Sequence, residues 1–400
     1  MRGRGEMTRM HEIDQVEYTP PALAFPVQEG LVRACRETFG STLRAVVLTG
    51  SLARNEASYV CREGRAILQS DVEAMVVLQD DAALPTRATH QALCHLAQHY
   101  LQERGVAVEV SFSVVHAAYL RHLPPHIYSY ELRCCGVVLF GDSDVLHLIP
   151  SYSASELSRE DAWRMLGNRL IERMAADSAD AAMARYRGIK LCLDLASSLL
   201  VFFGRFQAGY RARLYCMEEA AATAQANALP FDLRQFMPLL RQCTAAKLDS
   251  ETAVDLGPDF EERVTRWAWQ LWQWELASIS GCSASFTAEQ MLRAFGRRQG
   301  GRKLLRGWAY TVRRVGWLRS VRHWFKWLAI CVGGLTPRHA IYLAAHHWHA
   351  CEANGSVDAA RELAGVRKLL PVCRAAQNSP ALLAAEIVRN YKEFAVETRA

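Results

Sequence analysis

Asp71 and Glu73 stand at the head of the apolar run VEAMVVL, residues 72 to 78. In a strand, side chains at i and i+2 point to one face, so the two carboxylates project together while Val72, Ala74, Val76 and Leu78 line the opposite face. Like charges held that close repel and require a cation between them. Carboxylate oxygens suit Mg²⁺, which is commonly shared with the phosphate oxygens of a substrate. A third carboxylate comes from GVAVEVSFSVV, residues 105 to 115, where Glu109 falls with Ala107, Ser111 and Ser113 on the polar face. If this strand neighbours the first, three acids converge on one patch, as a two-metal site needs. Gly50 and Ser51 follow another apolar run and open a helical stretch, Leu52 to Arg54. Glycine lets backbone approach an anion closely, serine adds a short hydroxyl donor, and the N–H groups of a helix start point toward phosphate.

These residues need a scaffold, and the pattern up to about residue 150 supplies one. A helix is expected over 27–40, strands over 44–49, 72–78, 106–115 and 137–140, and a second helix over 86–104. Alternation of this kind predicts an α+β domain with a small mixed sheet and flanking helices. Beyond about residue 155 the strand signals stop. Apolar periodicity at 156–177, 179–204, 210–227, 259–279 and 302–330 predicts an all-α C-terminal region. Breaks at Ile149-Pro150-Ser151 and at SISGCSAS, residues 278 to 285, suggest a catalytic domain over 25–150, a helical domain over 151–280 completing its cleft, and a basic helical region over 281–400.

The order strand, Gly-Ser, helix, spacer, Asp-x-Glu on a second strand and a lone carboxylate on a third resembles the DNA polymerase β-like nucleotidyltransferase superfamily, whose small bacterial members carry a helical domain after the catalytic one. The resemblance covers roughly residues 30–150. It implies that Gly50 and Ser51 hold the β- and γ-phosphates of a nucleoside triphosphate. It further implies that Asp71, Glu73 and Glu109 bind two Mg²⁺ ions, with Mn²⁺ as a substitute, and that Glu109 helps deprotonate the acceptor hydroxyl. In related enzymes a lysine on the first long helix after the catalytic domain reaches the triphosphate, and Lys190 resembles it. Its bland alternative is a surface pair with Asp194 at i+4. Two departures stand out: 19 residues separate Ser51 from Asp71, and the second acid is Glu where Asp is commoner. The spacer reads as a short hairpin or extended loop around Gly64. A valine at Gly50 is expected to harm nucleotide affinity more than stability.

Other features have mundane readings. The tryptophans of WAWQLWQWEL, residues 267 to 276, fall at core-facing helical spacing. His346, His347 and His349 read as a packed or solvated cluster rather than a metal site, because adjacent histidines point away from each other on a helix. From Met291 to Cys351 there are twelve Lys and Arg and no Asp or Glu, so a net charge of +6 leaves −6 on the rest (6 − 12). Within that segment Leu304, Trp308, Val312, Val315, Leu318, Val321, Phe325 and Leu328 form a stripe, broken at Gly307 or Gly316. Such a basic amphipathic helix can lie on an anionic membrane, bind nucleic acid, or pack on the acidic remainder of its own chain. The last is the expectation here.

The twelve scattered cysteines contain no C-x-x-C pair and read as reduced thiols. No uncharged apolar window approaches the ~20 residues of a membrane span, and no export signal opens the chain, so a cytoplasmic location is expected. G-x-S-x-G, P-loop and G-x-G-x-x-G patterns are absent, which removes support for hydrolase, kinase and dinucleotide-binding readings. The expectation is Mg²⁺-dependent transfer of a nucleoside monophosphate from a triphosphate donor to a hydroxyl acceptor. A small or saccharide-like acceptor is preferred over nucleic acid because no RNA-binding module is recognised. The competing expectation is a non-catalytic scaffold of the same fold that binds a nucleotide, RNA or a regulatory partner.

Overall fold

A computed structural model describes residues 21–62, 65–174, 181–223, 229–249, 254–283, 285–354, 359–375 and 379–396. The chain divides into two compact units. One comprises Met1–Glu156, Gln207–Ala212 and Thr244–Val254, and the other comprises Leu157–Phe206, Arg213–Cys243 and Asp255–Ala400.

The first unit runs α1 (Pro21–Phe39), β1 (Leu43–Thr49), α2 (Gly50–Ala53), β2 (Tyr59–Arg62), β3 (Arg65–Leu68), β4 (Val72–Leu78), α3 (Arg87–Glu103), β5 (Val110–His116), α4 (Ala117–Arg121), α5 (Ile127–Cys135) and β6 (Val137–Gly141). Four strands form a mixed sheet in the order β5-β4-β1-β6, and β2 and β3 pair as a separate hairpin. The β-branched runs of β1 and β4 favour extended backbone and bury both faces. Val72, Ala74, Val76 and Leu78 share a core with Val46 and with Leu31, Leu93 and Leu101 of α1 and α3. Met75 and Val77 pack with Ala45, Val47, Leu120 and Leu132 on the other side. The Thr86 hydroxyl accepts from the Thr89 N–H at 3.2 Å and caps α3. The spacer between Ser51 and Asp71 carries the expected hairpin; its Gly64 lies outside the described residues.

The remaining helices are α6 (Arg159–Met174), α7 (Ala181–Phe202), α8 (Tyr210–Ala221), α9 (Leu233–Leu248), α10 (Phe260–Ser280), α11 (Ala288–Arg298), α12 (Gly301–Val315), α13 (Trp317–Ser320), α14 (Trp324–Val332), α15 (Pro337–Asn354), α16 (Ala359–Leu369) and α17 (Pro380–Tyr391). The molecule is thus mostly helical, with its sheet confined to the N-terminal part. The tryptophan run of α10 is core, as its spacing predicts. Trp272 is fully buried and stacks on Trp163 at 5.4 Å between ring centroids, while Tyr342 of α15 meets Trp163 edge-on at 5.3 Å. His346 and His349 pack against Trp269 in the same cluster, and burial lowers each histidine pKa to about 4. The described cysteines are free thiols, several of them buried.

The basic stripe departs from expectation. Its first turns pack inward at Trp308, whose Nε1 donates to the Leu335 carbonyl at 2.9 Å. At Gly316, φ is +88°, and the helix breaks there. The break shifts the helical phase, so that Ser320, Trp327 and Ile330 turn inward while Leu318, Val321, Phe325 and Leu328 face outward. A continuous helix would have kept the stripe on one face; a glycine in this backbone region does not.

Candidate functional site

Asp71, just before β4, and Glu73, within it, lie at the end of the sheet where β1 finishes. β1 and β4 run antiparallel with Thr49 opposite Glu73, so the Gly50-Ser51 turn emerges beside the start of β4. At Gly50 φ is +70°, and a Cβ built there would overlap Oε2 of Glu73 and sit 3.2 Å from its Cδ. Only a glycine lets that backbone lie against the carboxylate without strain. Glu73 and Asp71 are both exposed, while Val72 between them is fully buried.

β5 runs parallel to β4 in the register Val72 to Val110 and Glu73 to Ser111. Glu109 is not inside the strand, as its alternating pattern predicted, but immediately before it. Its carbonyl accepts the Val72 N–H at 2.9 Å, which fixes Glu109 alongside Asp71. The burial alternation continues through this residue, with Glu109 exposed and Val110 buried. Asp71, Glu73 and Glu109 therefore occupy neighbouring positions on two adjacent strands, next to the Gly50 turn. Glu103 and Glu131, the nearby acids that a different register would have offered, are engaged elsewhere, with His99 at 3.3 Å and Arg54 at 3.0 Å.

Among the described residues, no three His, Cys, Asp or Glu side chains are grouped so as to enclose a metal ion. The donor chemistry nevertheless fits a hard divalent cation, because the exposed ends are all carboxylate oxygens. The anion-binding part is slighter than expected. α2 is a single turn of four residues, so any hold on phosphate comes from its local N–H groups and the Ser51 hydroxyl rather than from a helix dipole.

Sequence reading missed the polar layer beneath this end of the sheet. Lys247, at the end of α9, is buried, and its Nζ donates to Oγ of Ser58 at 2.8 Å and lies 3.5 Å from Oγ of Ser70, the residue before Asp71. Ser70 Oγ also accepts the Ser58 N–H at 2.8 Å. Arg54, next to the Gly-Ser turn, binds Glu56 at 3.1 Å and Glu131 at 3.0 Å. Glu56 in turn accepts from the Tyr210 N–H. Burial opposes the Arg54 charge, but Glu131, Tyr210 and Glu56 outweigh it and raise the guanidinium pKa. Buried Lys and Arg in spacer contacts were the available signal, yet their partners lie too far along the chain for any local pattern to link them.

Lys190 belongs to the second unit. Its Nζ lies over the Tyr186 ring at 4.8 Å, beside a cavity of about 290 Å³ lined also by Arg169, Arg173, Arg187 and Lys392. The surface pair with Asp194 does not form, because Asp194 is buried and taken by Arg169 at 2.6 Å. A cavity of about 800 Å³ in the first unit opens near Leu43, at the end of β1 opposite Gly50, and contributes nothing to the acidic cluster.

Gly50→Val is now expected to cost stability as well as nucleotide affinity, by about 1–3 kcal/mol, since a branched residue must adopt positive φ and displace Glu73. Thermal melting and Mg-ATP titration of the purified variant check this. A melting temperature equal to that of the parent protein would remove the argument from close approach. No protein-family model matches this chain, and no curated protein sequence matches it.

Proposed function

We propose that the first unit is a nucleotidyltransferase of DNA polymerase β-like type, using Mg²⁺ to transfer a nucleoside monophosphate from a triphosphate to a hydroxyl acceptor with release of pyrophosphate. The observation that carries this reading is the juxtaposition of Asp71, Glu73 and Glu109 beside the positive-φ turn at Gly50. Three exposed carboxylates in adjacent positions are a suitable ligand set for a hard divalent cation.

On this reading Asp71 and Glu73 hold metal, and Glu109 completes the ligand set and accepts the proton of the acceptor hydroxyl. Bound Mg²⁺ supplies charge neutralisation on the triphosphate and lowers the hydroxyl pKa. The Gly50 and Ser51 N–H groups and the Ser51 hydroxyl orient the phosphate tail, so the protein's own contribution is mainly positioning and electrostatic stabilisation. The reading rests on residues of the first unit alone; Lys190 is not needed for it.

Incubating the full chain with α-labelled nucleoside triphosphates, Mg²⁺ and panels of small alcohols, saccharides, proteins and RNA ends tests the proposal. Label transfer with pyrophosphate release is the expected result. Mg²⁺-dependent triphosphate binding without transfer to any acceptor would favour a non-catalytic scaffold, and no triphosphate binding at all would remove the transferase reading.

A further inference from the structure

α13 and α14 of the second unit are docked by one side and bare on the other. On the docked side, Trp327 Nε1 donates to the Pro371 carbonyl at 2.8 Å, Lys326 Nζ donates to the Arg367 carbonyl at 3.1 Å, and Ile330 is buried. On the bare side, Leu318, Val321, Phe325, Leu328 and Val332 recur at three- and four-residue spacing and with Trp317 form one ridge, with Leu318 88%, Phe325 91% and Val332 77% exposed. Trp317 and Trp324 brace each other edge-on at 5.2 Å along it. The ridge is thus held in place by a well-packed back, and it is not the loose end of an undocked helix. Contiguous exposed apolar surface of this kind marks an interaction site.

Its surroundings are cationic. Arg313, Arg314, Arg319 and Arg322 are exposed around the ridge, and the sequence from Met291 to Cys351 contains no acid. We infer that this ridge binds the surface of an anionic lipid bilayer, its apolar side chains entering the boundary between headgroups and acyl chains while the flanking arginines meet the headgroup charge. A second copy of the chain would fit poorly, because a self-facing contact would bring the same arginines together. Nucleic acid would satisfy the arginines but leave Leu318, Phe325 and Val332 without a partner. A bilayer surface answers both needs, with interfacial tryptophans at the level where they are favoured.

The contact lies on the membrane and does not cross it. Among the described residues no single helix is long and apolar enough to span a bilayer, and the one bent pair that approaches this would use residues 337–352 of α15. That helix is committed to the protein interior, with Ala340, Ile341, Leu343, Ala344 and Ala345 fully buried.

Flotation of the full chain with phosphatidylcholine vesicles, with and without about 30% phosphatidylserine, tests the inference. Binding is expected only to the anionic vesicles and should weaken as salt rises from about 0.1 M to 0.5 M. The double variant Leu318→Ser/Phe325→Ser, at two positions that are almost wholly solvated, should lose at least about tenfold in partitioning while melting as the parent does. Arg319→Gln/Arg322→Gln should weaken binding and flatten its salt dependence. Failure of the parent protein to float with anionic vesicles would overturn the inference, as would undiminished flotation of the serine variant. So would a dimer in solution that the serine variant abolishes, since the ridge would then be covered by a second copy.

Discussion

Asp71→Ala is expected to reduce metal-dependent label transfer by at least about a thousandfold without lowering the melting temperature. The asymmetry follows from position. Asp71 is exposed at the start of β4, while the fold here is held by Val72 and the backbone bond from its N–H to Glu109. Removing the carboxylate relieves repulsion with Glu73 and Glu109 and, on the proposed function, deletes a metal ligand, so stability is expected to hold while Mg-nucleotide affinity and turnover fall together. Glu109→Ala should lose turnover more than nucleotide affinity if its second duty is to receive the acceptor's proton. Calorimetric titration with Mg-triphosphate and single-turnover transfer separate these effects. An Asp71→Ala protein that retains transfer within about tenfold of the parent would end the assignment of this cluster.

The largest expected effect on stability belongs to the second unit. Glu275 of α10 is fully buried, its Oε1 bonded to the Ser198 hydroxyl at 2.5 Å and its Oε2 without a hydrogen-bond partner. Burial pushes its carboxyl up from 4.5 to about 8, against the smaller opposing effect of Ser198. A raised acid pKa means that the fold keeps the proton the unfolded chain gives up. Stability is therefore unaffected below about pH 4.5 and falls as pH rises toward 8, by an amount on the order of 4–5 kcal/mol at full extent. Buried His339 and His346 act in the opposite direction. Desolvation lowers them to about 3 and about 4, so each costs stability as pH falls below 6.5. The two effects overlap between about 4.5 and 6.5, so the fall due to Glu275 is clearest from about 6.5 to 7.5, before Lys326, which burial lowers to about 8, begins to release its proton. Glu275→Gln should flatten the melting-temperature profile there, with a gain on the order of 10 °C over the parent at pH 8.5. Identical pH profiles for the two proteins would show that Glu275 is ionised or relaxed in the fold.

The sheet and its acids were legible because they are local properties. The alternation in VEAMVVL sets which way Asp71 and Glu73 face, and β-branched runs mark β1 and β4 whatever surrounds them. The tryptophan spacing in α10 likewise reports its buried side. What escaped the sequence depends on distant partners. Whether Asp194 pairs with Lys190 or Arg169 is settled by the packing of α6 against α7, and helical spacing alone offered only Lys190. The basic stripe misled for a related reason: a break at Gly307 or Gly316 was legible, but the change of phase it brings at Gly316 depends on backbone geometry that spacing does not report. Glu109 was placed on the right strand edge but inside a strand that begins one residue later.

The first unit also has a timetable. Glu56 and Ser58 are buried close to the Gly-Ser turn, and beside their local partners Arg54 and Ser70 they bond the Tyr210 amide and Lys247, which are made by the ribosome long after β6 is complete. Until then a nascent chain holding all the strands still carries polar groups that are costly to bury alone. The sheet's strands are complete by β6, yet the end that bears Asp71 gains its contacts from Lys247 only once the last turn of α9 is made. Its maturation is thereby tied to synthesis of the helices between, and a chain arrested near residue 156 would present the three acids on an unfinished support.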